Sequence, residues 1–176
     1  ADGFGGVRGK GRGLELTEDR FWEMGYGSDN VHLLFNLWYR DFNYTPAFDG
    51  NLPQIDHIFP QSLLRKIKAP NPSSGRMDVT RFREAERNQL ANCMLLSAAE
   101  NGAGGKWDAT PDRWLTGVRS KKEYLALHLI TEDPALGHMD RLQDFIAASK
   151  RLIKAKFTYL LLAPPPQRNF RESVFP

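Results

Sequence analysis

Apolar positions recur along this chain in two rhythms, and each predicts a different kind of element. Val31, Leu34, Leu37 and Trp38 fall at helical spacing, so a core helix is expected from a cap at Ser28 or Asp29 to Arg40. Met139, Leu142, Phe145, Ile146, Ile153, Phe157, Leu160 and Leu161 line one face of a long helix from Pro134 or His138 to Leu162. Lys150, Arg151, Lys154 and Lys156 load its other face. Two short runs, Ile55–Phe59 and Cys93–Leu96, break this rhythm; the first reads as a strand ended by Pro60, and the second is another apolar run of similar length. Thr17 can cap a helix to Met24 that Gly25 and Gly27 stop; Thr110-Pro111-Asp112 starts another, and Ser120 caps one through Leu129. Ser62–Lys68 reads as a helical turn, Asn71–Gly75 as a loop tip, and Asp78 as the cap of a helix to Asn88; 42–50 is turn-rich. The sum is a mixed α+β domain, mostly helical, over 17–163. A flexible Gly-rich arm with Arg8, Lys10 and Arg12 precedes it (1–16), and an extended tail (164–176) follows Pro164-Pro165-Pro166.

Composition narrows the classes. With 176 residues and 41% apolar content the chain can bury one real core. A net charge of +3 and a pI near 9.1 permit a polyanionic partner without requiring one. A lone cysteine, Cys93, excludes a disulfide framework or a zinc ribbon and suits a reducing compartment. The longest apolar run, Tyr159–Ala163, is far too short for a bilayer, and no signal peptide is visible, so no membrane partner is expected. Lys10 and Lys106 each follow a glycine but lack the remaining residues of a phosphate loop. His32, His128 and His138 have no partner at metal-ligand spacing. A start without Met suggests a domain excised from a larger protein.

The stretch richest in chemistry is Gln54-Ile55-Asp56-His57-Ile58-Phe59-Pro60-Gln61-Ser62, which sets a carboxylate and an imidazole side by side at a strand end. On a flat strand they point to opposite faces, so the strand must twist or end there for both to serve one site. Asn92 opens the second apolar run, and Asn101 follows nine residues later. Between 65 and 88, Arg65, Lys66, Lys68, Arg76, Arg81, Arg83 and Arg87 outnumber Asp78, Glu84 and Glu86. Such a run is either a solvated face or a loop that tracks phosphates. Taken singly, Asp56-His57 can be a structural hydrogen bond, and Asn92 and Asn101 turn residues.

Taken in order, these residues resemble the HNH, or His-Me finger, nucleases. Asp56-His57-Ile58-Phe59-Pro60, Leu90-Ala91-Asn92-Cys93-Met94-Leu95-Leu96-Ser97 and Asn101 look most like the C-terminal nuclease domain of GmrSD-type and SspE-type bacterial anti-phage restriction enzymes, over residues 30–160. Ala91 departs from the Gly usual there. The resemblance implies a small ββα-metal core embedded among helices and a metal-dependent DNA endonuclease; one site per chain cuts one strand, so nicking is expected unless two chains pair. His57 would be the general base, and Asp56 and Asn101 the ligands of Mg²⁺, with Mn²⁺ as substitute. Asn92 would organise the loop or a carbonyl behind the imidazole. Lys106 and Arg87, chosen on sequence alone, are candidates for phosphate or leaving-group contacts, with Arg65, Lys66 and Arg83 tracking the backbone. The resemblance further implies double-stranded phage DNA as substrate, an N-terminal NTPase sensor domain in the full-length protein, and the bacterial cytoplasm as location. Two rivals stand beside it: a catalytically silent basic nucleic-acid-binding module, and an RNase or toxin-type nuclease.

Overall fold

The computed structural model describes residues 17–40, 53–118 and 120–161. The arm expected over 1–16, the turn-rich 42–50 and the tail over 164–176 lie outside the described residues.

α1 (Glu18–Glu23) opens on Thr17, whose hydroxyl accepts from the Arg20 N–H, and it buries Phe21. α2 (Val31–Trp38) buries Val31, Leu34, Phe35 and Trp38, as the spacing requires. It starts at Asn30 rather than at Ser28 or Asp29, because the Ser28 hydroxyl is spent on the Gly25 backbone. β1 (Gln54–His57) runs from an exposed end to a buried one. Pro60 then starts the single turn α3 (Gln61–Leu64).

The expected helix from Asp78 is corrected by the structure. Lys68–Pro70 (β2) and Met77–Thr80 (β3) form an antiparallel hairpin across the Asn71–Gly75 tip. Asn71 takes the Gly75 and Ser73 N–H groups, and Gly75 sits at φ +70°, so the tip closes a hairpin. Asp78 lies inside β3, and the helix shrinks to α4 (Glu84–Arg87), where the Glu86 carboxylate caps the Arg83 N–H. The cross-strand pairing outweighs what one capping side chain supplies.

After a helical turn at Leu90–Asn92 comes β4 (Cys93–Leu96), buried at every position like a strand covered on both faces. It pairs antiparallel with β1, setting His57 opposite Cys93 and Asp56 opposite Met94. α5 (Ala98–Asn101) follows directly, capped by Ser97 and Glu100, and packs on both strands. β1, β4 and α5 thus form a small ββα unit inside an α+β, mostly helical domain. α6 (Pro111–Trp114) starts with proline at its first position. α7 (Lys121–His128) and the long α8 (Leu142–Leu161) complete the shell, with short helical turns at Pro134–Gly137 and Met139–Arg141 before α8.

α8 is the column behind the site. Phe145 meets Phe59, two residues after His57, edge-on at 4.8 Å, and Phe157 meets Phe21 and Trp38. Phe59 is wholly buried, and burying such a side chain stabilises by about 2–3 kcal/mol. The end of β1 is therefore anchored by its neighbours. Among the described residues, no helix is long and apolar enough to cross a membrane.

Candidate functional site

The two faces of β1 carry different chemistry, as the two-residue period of a strand demands. On one face His57 is only 6% exposed. Tyr26 lies over its ring, centroids 4.1 Å apart. The imidazole Nε2 is 3.1 Å from Asn88 Oδ1 and 3.1 Å from Gln61 Nε2. Gln61 Nε2 also donates to Asn88 Oδ1, and Gln61 Oε1 accepts from Arg65 at 2.6 Å. Among the described residues no hydrogen bond engages Nδ1. Burial lowers the His57 pKa, helped by the charges of Lys106 and Arg87; the Asn88 bond and the Asp56 charge resist. The neutral imidazole is the form this pocket favours.

On the other face Asp56 keeps a partly exposed carboxylate. Lys106 lies 2.6 Å from its Oδ2, with the lysine side chain 3% exposed and the aspartate side chain 22%. The Lys106 ammonium also lies 6.0 Å from the Trp114 ring centroid. Asn101 meets the same face two residues earlier, its Nδ2 donating to Gln54 Oε1 at 3.0 Å. That bond uses the amine end of the amide, and leaves the carbonyl end for another partner.

Asn92 is fully buried and stitches three segments together. Its Oδ1 accepts from the Phe59 N–H at 2.9 Å, and its Nδ2 donates to Arg87 O at 2.8 Å. It holds the backbone just beyond His57 against the backbone just before Asn88. Arg87 is itself buried and donates to Phe82 O, leaving its Nε without a partner. Arg65, Lys66 and Arg83 are exposed around the base of the hairpin.

The structure thus gathers Asp56, His57, Asn92, Asn101, Lys106 and Arg87 about the β1–β4 pair. Lys106, expected toward phosphate, is engaged with Asp56 here. Cys93, across from His57, has its thiol pKa pushed up to about 12 by burial, which leaves no thiolate nucleophile near neutral pH. Around the imidazole stand Asn88, Gln61 and Tyr26, to which the sequence reading assigned no role. Gln61 follows His57 by four residues at a helix start, a signal present in the chain. Asn88 is 31 residues away across the hairpin, and no spacing rule reaches it.

A divalent cation fits the donor chemistry of the carboxylate face. Among the described residues no three His, Cys, Asp or Glu side chains gather as a cage. One carboxylate and one amide oxygen, completed by water and phosphate, suit Mg²⁺, which accepts few protein ligands.

Residues 15–137 match the family model of the GmrSD restriction endonucleases, C-terminal domain. No curated protein and no solved structure matches the chain.

Proposed function

Since the chain belongs to the family of GmrSD restriction endonuclease C-terminal domains, a family that carries nuclease activity, we propose that it is a metal-dependent DNA endonuclease of the HNH type that nicks phosphodiester bonds. The observation that supports this best is the pair at the end of β1: an imidazole favoured in its neutral form beside a carboxylate held by a cation. In this reading His57 takes a proton from the attacking water, a transfer worth about 10²–10⁴ in rate. Asp56 and Asn101 would hold Mg²⁺, or Mn²⁺ in its place. When bound, the ion would neutralise charge on the phosphate and ease departure of the 3′ oxygen. Asn92 holds the loop that aims the imidazole. Arg87, buried and without a carboxylate partner among the described residues, is suited to attract a phosphate into the site. Arg65, Lys66 and Arg83 would track the DNA backbone from the exposed side. Lys106 would cede or share its carboxylate when the ion arrives, and its ammonium would then serve the phosphate. The substrate would be phage DNA in the bacterial cytoplasm, under control of an NTPase sensor domain of the full-length protein.

A supercoiled-plasmid assay tests this. Nicked circles with Mg²⁺ or Mn²⁺, none with EDTA, and a loss of about 100-fold or more in His57→Ala are expected. Unchanged nicking by His57→Ala removes the base, and EDTA-resistant cleavage removes the metal. Cleavage confined to structured RNA supports the RNase reading. A second reading rests on the burial of His57 and the pairing of Asp56 with Lys106: a silent module that binds DNA through its basic surface. It requires salt-dependent binding with no product under any metal.

A further inference from the structure

Between β1 and β4 the chain leaves the core and returns as a ribbon that stands in solvent. In the β2–β3 hairpin every residue over 72–79 is exposed. Met77 and Val79 lie along β3 with 61% and 40% of their surface in water. A two-stranded ribbon is marginal in water unless something holds it, and here the hold is at its base. The Arg81 N–H donates to Ile67 O at 3.0 Å, Phe82 is buried, and Lys68 Nζ donates to the Thr80 hydroxyl at 3.2 Å. The hairpin is also tied to the candidate site on both sides. Gln61, before it, and Asn88, after it, each place an amide atom 3.1 Å from His57 Nε2. Folding therefore anchors the base, and leaves two apolar side chains uncovered on the outer half.

Charge indicates what the ribbon fits. Residues 65–83 hold six basic side chains (Arg65, Lys66, Lys68, Arg76, Arg81 and Arg83) and one acidic, Asp78, in a chain whose net charge is +3. Outside this segment acidic residues outnumber basic ones, so the positive charge of the chain is concentrated where the hairpin stands. A solvated face needs such charges and has no use for an exposed methionine and valine among them. A duplex groove matches both features, with phosphates along its rims and thymine methyls among the base edges of its major side. Size selects the groove. At about 3.3 Å per residue the four residues of β3 span about 13 Å. The major groove of B-form DNA, about 12 Å wide and 8.5 Å deep, admits a two-stranded ribbon, whereas the minor groove is only about 6 Å wide. The shift in register between Ala69 and Pro70 adds right-handed twist, which helps a ribbon follow a helical groove.

We propose that the hairpin of residues 68–80 is a DNA-docking ribbon that enters the major groove, with Met77 and Val79 against base edges and Arg76, at the tip, on a phosphate. The choice of DNA as partner rests on the nuclease reading; the ribbon's exposure and charge do not.

Dimethyl sulfate methylates guanine N7 in the major groove and adenine N3 in the minor groove, so one reagent tests both. On a short B-form duplex with the 176-residue chain in EDTA, guanine N7 should be protected and adenine N3 left open. Replacing residues 70–78 by Asn-Gly, a two-residue turn that closes the Ala69–Val79 pair, should remove the protection and weaken duplex binding about 10- to 100-fold. Met77→Ser with Val79→Ser needs no change of backbone. That variant should keep the thermal midpoint and the salt slope while losing about 5-fold or more in affinity, with weaker N7 protection. Arg76→Ala should instead lower the slope of log affinity against log salt by about 0.9. An RNA duplex of the same sequence, whose major groove is too deep and narrow for side chains, should bind at least about 10-fold more weakly. Adenine N3 protected with guanine N7 open overturns the proposal, as does full N7 protection in both hairpin variants. So does a chain that binds no duplex, or a dimer lost on shortening the ribbon, which would assign the ribbon to a second copy. None of these measurements needs cleavage. A chain that docks in this way and never nicks with Mg²⁺ or Mn²⁺ overturns the nuclease reading and leaves the ribbon standing.

Discussion

The two faces of β1 solve opposite electrostatic problems within one residue of each other. On the imidazole face, burial, an aromatic cover and amide partners favour a neutral ring. On the carboxylate face, Asp56 stays partly exposed and meets a lysine ammonium 2.6 Å away. In the proposed mechanism the imidazole must be neutral to take a proton while the carboxylate must be charged to hold a cation, so one environment would not suit both. A strand separates them because its alternation sends adjacent side chains to opposite sides while the backbone keeps them near. Each face is also backed by a glycine that allows a close approach. A Cβ at Gly25 would run into the Asn88 carbonyl behind the imidazole, and one at Gly105 into the Glu100 carbonyl that receives the Lys106 N–H.

The strongest way to break this division is to remove charge from the exposed face. Asp56→Asn should lower Mg²⁺-supported cleavage by about 100-fold, roughly 2–3 kcal/mol in barrier, and raise the Mn²⁺ concentration required, read by a metal titration of plasmid nicking. Asn92→Ala should damage both faces together. It strips buried hydrogen bonds to Phe59 and Arg87, so a loss of about 2–4 kcal/mol is expected as a lower urea midpoint with unchanged slope. The glycines then separate the faces. Gly25→Ala and Gly105→Ala should each cost about 1–3 kcal/mol, but only the first should move the His57 ring resonances. Equal shifts from both would mean that the faces are one coupled unit.

A second buried imidazole, away from β1, gives the fold a pH dependence of its own. His128, beside the Tyr39 hydroxyl at 2.8 Å, has its pKa pushed down from 6.5 to about 3 by burial. The fold excludes the charged ring, so as pH falls below 6.5 the unfolded chain binds the proton first. The stability contribution is complete above 6.5 and drains away toward pH 3, at no more than about 1.4 kcal/mol per pH unit. Thermal melts should show that slope in wild type, and His128→Gln should flatten it.

Local rules reached a good deal of this molecule. The spacing of Val31, Leu34 and Trp38 carried α2, the long stripe from Leu142 to Phe157 carried α8, Thr17 and Pro111 marked their helix starts, and Pro60 ended the first strand. They failed between 62 and 88, where Asp78 looks like a cap yet lies in β3, because hairpin pairing is decided by a partner strand and not by the residue itself. They also did not reach the pairing of Lys106 with Asp56, 50 residues apart, where the turn after Asn101 folds back and buries the lysine ammonium on the carboxylate.

What the sequence determined by itself is the order of the parts: a strand bearing Asp56 and His57, a proline stop, a buried strand opened by Asn92, and a helix bearing Asn101. Periodicity, capping and stop signals act within a few residues, so they survive in a bare string of letters. What only the tertiary structure decided is the state of each group. Asn88 closes on the imidazole, Lys106 on the carboxylate, and Tyr26 over the ring, because contacts across 31 to 50 residues depend on how the hairpin and the long helix pack. Burial and partner geometry set charge and proton position, and neither exists until the chain has folded.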